Sequence, residues 1–93
     1  MIRSFRDART EAIAKGKPSK GFPADLARRA VHKLTMLNYA TSLDDLRSPP
    51  GNRLEALKGD RKGQHSIRVN DQWRICFVWT AAGAEKVEIT DYH

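Results

Sequence analysis

The sequence is short of several things, and each shortage excludes a class of protein. It has a single cysteine, Cys76, so no disulfide framework can staple it. It has no Cys-x-x-Cys pair, and His32, His65 and His93 lie far apart along the chain, so no metal-ligand spacing is visible. It has no Walker loop and no G-x-G-x-x-G fingerprint. No apolar run approaches the ~18 residues of a membrane-spanning helix. The opening Met1–Arg6 carries no apolar stretch of signal-peptide length, so the expected location is the cytoplasm, away from any membrane. Repeats and low-complexity segments are absent too. Acidic residues are the scarcer charge: 11 Asp and Glu stand against 17 Lys and Arg, which leaves a net charge of +6.

What remains is a small basic domain. Ninety-three residues, 40% hydrophobic and 30% charged, suffice for one thin core and no second domain, so residues 1–93 are expected to fold as one unit. The excess of Lys and Arg suits a polyanionic partner, although many small basic proteins bind none.

The hydrophobic pattern changes period midway. Ile2–Phe5 is expected to be a short strand, and Ser4 with Asp7 resembles a capping box before a short helix holding Ala8, Ala12 and Ile13. Gly16 would stop that helix. Pro23 suits a first helical position. Leu26, Ala27, Ala30, Val31, Leu34 and Leu37 then recur at intervals of three and four. Thr41 or Ser42 would cap a further turn holding Leu43 and Leu46. After Ser48–Asn52 the period becomes two. Ile67 and Val69, then Trp73, Ile75, Phe77 and Trp79, then Val87 and Ile89 alternate with polar neighbours. Asn70-Asp71 and Ala82-Gly83 stand where hairpin turns belong. The expected fold is α+β, with N-terminal helices on one face of a small, mainly antiparallel sheet. Its expected core is Val31, Leu34, Ile67, Val69, Trp73, Ile75 and Phe77. The opposite face would present Arg68, Arg74, Cys76 and Glu88.

Two clusters could carry chemistry. Arg53–Gly63 holds four basic residues and two glycines. It is either a solvated turn or a phosphate-binding loop in which Lys58, Arg61 and Lys62 supply charge. Asp91-Tyr92-His93 places three titratable groups in a row, with His93 ordinarily titrating near neutrality. Cys76 alternates with strand interior residues and reads as a packed side chain rather than a nucleophile.

These segments resemble a known family. Arg53-Leu54-x-x-Leu57-Lys58-Gly59-Asp60-Arg61-x-Gly63, Ser66-Ile67-x-Val69-Asn70-x-x-Trp73-Arg74-Ile75-x-Phe77 and the ending Asp91-Tyr92-His93 are similar to the HigB toxins, a branch of the RelE-like toxins of bacterial type II toxin–antitoxin systems. Leu46–Leu57 is similar to the GraT-type members of that branch. The resemblance implies a RelE-like fold and a metal-independent endoribonuclease, an mRNA interferase acting on mRNA in the ribosome without a cofactor. It implies a HigA-like helix-turn-helix antitoxin, with operator DNA reached only through that antitoxin. Carried over by position, Lys58 and Arg74 would stabilise the phosphate, and with Asp91, Tyr92 and His93 they would form the catalytic set; Arg61, Lys62 and Arg68 are expected to add RNA contacts beside Lys58 and Arg74. Many relatives have His where this chain has Glu55, so Glu55 is either a replacement base or a surface residue, and His93 becomes the expected proton-transfer group. Strict alternation puts Glu55 and Lys58 on opposite faces, so they share a site only if the strand bends or ends near Leu57. The alternative reading is a basic RNA- or antitoxin-binding module that cleaves little.

Overall fold

The computed structural model describes residues 1–17 and 21–91. Its sheet has four strands in the order β1 (Glu55–Ala56), β2 (His65–Arg68), β3 (Arg74–Thr80) and β4 (Gly83–Thr90). Every neighbouring pair is antiparallel. Helices α1 (Ala8–Ala14) and α2 (Ala24–Tyr39) precede it and pack on one face. Short 3-10 turns at Leu43–Arg47, Pro50–Asn52 and Gly59–Arg61 connect the two halves.

The caps decide where the helices begin. Asp7, not Ser4, caps α1: its side chain accepts from the Thr10 N–H at 2.7 Å. Ser4 instead accepts from Lys86 N–H at 2.9 Å, tying the chain's start to β4. Gly16 ends the helical turn at φ 75°, as expected of a left-handed position. Pro23 sits one residue earlier than expected, as the extended cap of α2 with ψ 150°. Ser42 caps the next turn in a reciprocal box with Asp45. The Asp45 carboxylate accepts from the N–H groups of Thr41 and Ser42, which holds it below the usual carboxylate range.

The core is the face on which α1 and α2 rest. Leu26, Ala30, Leu34 and Leu37 of α2 meet Ile67, Val69, Ile75, Phe77, Ala84, Val87 and Ile89 of the sheet. Val31 departs from the expected core. It is exposed, because the buried stripe runs through Leu26, Ala30, Leu34 and Leu37, and Val31 lies one residue, about 100° of helix, off it. Trp73 is half-buried and packs edge-to-face on Phe22 at 5.3 Å between ring centres. Ile2–Phe5 pairs with the outer edge of β4 in parallel fashion, Ile2 against Ala84 and Phe5 against Val87. That pairing covers an edge that would otherwise be open.

One irregularity shapes β4. Cys76 faces Glu88, yet Val78 faces Glu85, so β4 carries an extra residue there. Lys86 takes the strain at φ 53°. The bulge resets the alternation, which is why Ala84 and Val87 share the core face although they stand an odd three positions apart.

Candidate active site

The face away from the helices carries the polar side chains, and cross-strand register fixes their order. Directly opposed residues of antiparallel strands share a face. Glu55 opposes Ser66, Ser66 opposes Cys76, and Cys76 opposes Glu88, so these four form one row across the sheet. The next row holds Arg68, Arg74 and Thr90.

Arg74 is the anchored cation of this face. Its Nε donates to Ser66 Oγ at 2.7 Å and its Nη2 to the Arg53 carbonyl at 2.7 Å. Ser66 is fully buried beneath it. Arg53 turns its carbonyl into reach from a left-handed conformation at φ 46°. The guanidinium is therefore held at two points, which fixes its plane. The pairing of Arg74 with Glu88 that a shared face allows does not form. Glu88 instead receives Arg61 Nη1 at 3.1 Å, with Arg6 Nε 3.8 Å away.

Glu55 and Lys58 do come together. Strand β1 stops at Ala56, and the chain turns at Gly59 with φ 64°. Leu57 still donates to Gln64 O at 2.9 Å, so the segment leaves the sheet only after it. The result is a cleft of about 350 Å³ lined by Glu55, Ala56, Leu57, Lys58 and Arg61. Glu55 and Lys58 are both exposed there, and Arg61 is half-buried. Lys62 is exposed just beyond, at the end of the turn.

Cys76 departs from the expectation that it be presented on this face. It is fully buried, and burial pushes its thiol up to about 11, above the opposing pulls of the nearby guanidiniums. A thiol that stays protonated is no nucleophile at neutral pH. Packing is the role the structure gives it.

Arg68 leaves the group in which its register places it. Its backbone opposes Arg74, but β1 is too short to cover this end of β2. The side chain pairs with Asp71 and lines a different cleft, against Arg29 and Lys33 of α2. Asp91 follows β4 directly, and its carboxylate accepts from Gln72 Nε2 at 2.9 Å. Tyr92 and His93 lie outside the described residues. Among the described residues, no group of three His, Cys, Asp or Glu side chains is placed to hold a metal ion.

Sequence reasoning missed the two groups that orient Arg74. Ser66 carries a weak signal, since it alternates onto the polar face, but only the length of the Asn70–Asp71 turn sets it beside Arg74. The Arg53 carbonyl carries none.

Comparison with known proteins agrees with this architecture. A family model described as the RelE-like toxin of type II toxin–antitoxin system HigB matches residues 3–93. The chain is 40% identical over 80 residues to Toxin HigB-1 of Vibrio cholerae, covering 85% of this chain and 84% of that one. It is 32% identical over 93 residues to Endoribonuclease HigB of Proteus vulgaris, covering all of both. Among solved structures, a chain of the Staphylococcus aureus YoeB–YefM complex superposes with a TM-score of 0.62 at 13% identity, covering 100% of this chain and 98% of that one, a likeness of fold. With a matching α+β architecture and these relatives, the chain belongs to the HigB-like toxins, RelE-like toxins of type II toxin–antitoxin systems.

Proposed function

We propose that this toxin is a metal-independent endoribonuclease that cuts mRNA on the ribosome and is neutralised by a HigA-like helix-turn-helix antitoxin. The observation that carries the reading is the meeting of Glu55, Lys58 and Arg61 on one cleft, on the same sheet face as the two-point-anchored Arg74. An endoribonuclease at full-length coverage among its relatives supports the reaction class.

The reaction fitted to these groups is internal transfer. The ribose 2′-oxygen bonds to the adjacent phosphorus, the bond to the 5′-oxygen breaks, and the products end in a 2′,3′-cyclic phosphate and a 5′-hydroxyl. The 2′-hydroxyl gives up a proton, the leaving oxygen takes one, and negative charge builds on the phosphoryl oxygens between. Lys58 and Arg74 meet that charge. A guanidinium already fixed by Ser66 and Arg53 needs no reorganisation as it develops. Arg61 and Lys62 add cations along the strand. Glu55 puts a carboxylate beside Lys58, within the same cleft, where it serves as the acceptor or as a surface group. His93 is the proton-transfer group, supported by Asp91, and Tyr92 stacks on a base.

Expression in a bacterial host tests the reading. Induction of the chain alone should arrest growth, and co-expression of the neighbouring antitoxin gene should relieve it. Transcripts should then carry new 5′-hydroxyl ends within translated regions. Growth arrest without cut transcripts would leave a binding module in place of an enzyme. Single-turnover cleavage on programmed ribosomes ranks the groups. Deleting His93 should slow it by ~10²-fold or more, and Glu55→Ala by less. The reverse order would make Glu55 the base.

A further inference from the structure

A second basic surface lies where α2 meets the end of β2. Arg29, His32 and Lys33 of α2, Gly51 of the preceding turn and Arg68 of β2 line a cleft of about 440 Å³. Its cations are unevenly neutralised. Arg28, at the rim, pairs with Asp25 at 3.0 Å, and Arg68 pairs with Asp71. Among the described residues, no carboxylate pairs with Arg29 or Lys33.

Lys33 is held in place rather than left to sweep through solvent. Its ammonium donates to Asn52 Oδ1, and Asn52 is fully buried. The Asn52 amide donates in turn to the carbonyls of Leu46 at 3.2 Å and Ser48 at 3.3 Å, so its orientation is fixed. Burial, and then the Arg68 guanidinium, hold the Lys33 ammonium below the usual lysine range. Lys33 and Arg68 thus face one open cleft, and among the described residues Asp71 is the one carboxylate paired to either of them. An anion there would offset the repulsion between the two cations.

The cleft also has a direction. Gly51 lines it, and two residues later the Arg53 carbonyl grips Arg74. Arg68 lines it as well, and its backbone opposes Arg74 across the β2–β3 pair. A chain with a phosphate at Lys58 and Arg74 that ran past the end of β2 would reach Arg68, then Lys33 and Arg29. We propose that this cleft binds a phosphodiester of the same RNA strand, outside the bond that is cut. The inference rests on the endoribonuclease reading and adds a substrate subsite to it.

The test is the salt dependence of binding to non-cleavable 2′-O-methyl RNA, followed by fluorescence anisotropy. Strands of ~4 and ~12 nucleotides separate the local site from the extended one. Wild-type protein should bind the longer strand more tightly and with the steeper slope. Arg29→Gln and Lys33→Gln should each remove part of that excess, about 0.7 in the slope of log K against log salt per lost contact. Arg29 is exposed and, among the described residues, makes no hydrogen bond or ion pair that holds the fold, so its variant reports on the cleft even where Lys33→Gln loosens Asn52. If both variants bind the longer strand as wild type does, in affinity and slope, the proposal is overturned. It is overturned equally if they weaken only the antitoxin complex, since the cleft then receives an acidic peptide. Lys58→Ala separates the two readings. If it weakens both strand lengths while the cleft variants weaken neither, only the subsite falls; if wild-type protein binds no strand, the subsite falls and the endoribonuclease reading is decided by cleavage on programmed ribosomes.

Discussion

Replacing Arg74 tests whether its orientation, and not merely its charge, serves the reaction. The side chain makes two 2.7 Å hydrogen bonds, to Ser66 Oγ and to the Arg53 carbonyl. Bonds from a charged donor contribute about 1.5–3 kcal/mol each at most, and a half-exposed pair contributes less. Arg74→Ala should therefore cost about 1–3 kcal/mol. A domain of this size has roughly 5–14 kcal/mol in hand, so the variant stays folded. Its melting temperature should fall by about 5–20 °C. Loss of one preoriented donor should slow cleavage by ~10²–10³-fold, far beyond what the small unfolded fraction explains. Arg74→Lys is the sharper probe. An ammonium keeps the charge but has no planar fork, and it cannot span Ser66 and Arg53 while still facing a phosphate. Its rate should stay nearer that of the alanine variant than of wild type. Single-turnover cleavage on programmed ribosomes, run below every melting point, gives the rates, and circular dichroism gives the melts. Full activity in Arg74→Lys would show that charge alone suffices and that the anchoring is incidental. A rate falling only in step with the folded fraction in Arg74→Ala would make the residue structural.

Three further outcomes follow from the fold. Phe77 is fully buried, between the rings of His65 and Trp79, so Phe77→Ala should cost ~3–5 kcal/mol in urea unfolding; a wild-type midpoint would place it outside the core. With its thiol pushed up to about 11, Cys76 is ionised to only about one part in a thousand near pH 8, and native protein should react with iodoacetamide at least ~10²-fold more slowly than urea-unfolded protein. Equal rates would mean that the thiol is open to solvent. Gly83 has φ 129°, and a Cβ there would collide with the Met1 backbone carbonyl. Gly83→Ala should thus displace the N-terminal segment from β4, seen as faster exchange of the Arg3 and Ala84 amides, which bond to one another's edge at 2.7 and 3.0 Å; unchanged protection would show that the edge pairing tolerates the extra atom.

How far the sequence foretells this molecule depends on which rule governs each residue. Alternation finds β2, β3 and most of β4, because a half-buried sheet must send apolar side chains to one side. The turn through Asn70–Asp71 closes as expected, whereas the second falls one residue earlier than Ala82–Gly83, at Ala81–Ala82, because Gly83 already pairs with Thr80. The helical stripe is legible as a stripe, but its edge is not: Leu34 is buried and Val31 exposed because the packing of α2 on the sheet, not hydrophobicity, sets the angle of burial. The bulge at Lys86 leaves no mark, since a lysine at positive φ is a cost imposed by tertiary structure.

The site follows the same division, with one reversal. Its residue types are readable, because cations and carboxylates near glycines are what phosphate chemistry requires. Their positions are not, because the site is built where periodicity fails. Alternation separates Glu55 from Lys58, and only the ending of β1 at Ala56, with Gly59 turning the chain, brings both to one cleft. Alternation unites Arg68 with Arg74, yet the short β1 leaves that end of β2 uncovered and Arg68 turns toward α2. A regular sheet would have grouped Arg68 with Arg74 and left Glu55 and Lys58 apart. By ending one strand early, the fold instead makes two basic clefts from one run of charge, and joins them through the Gly51–Arg53 segment that also holds Arg74 in place.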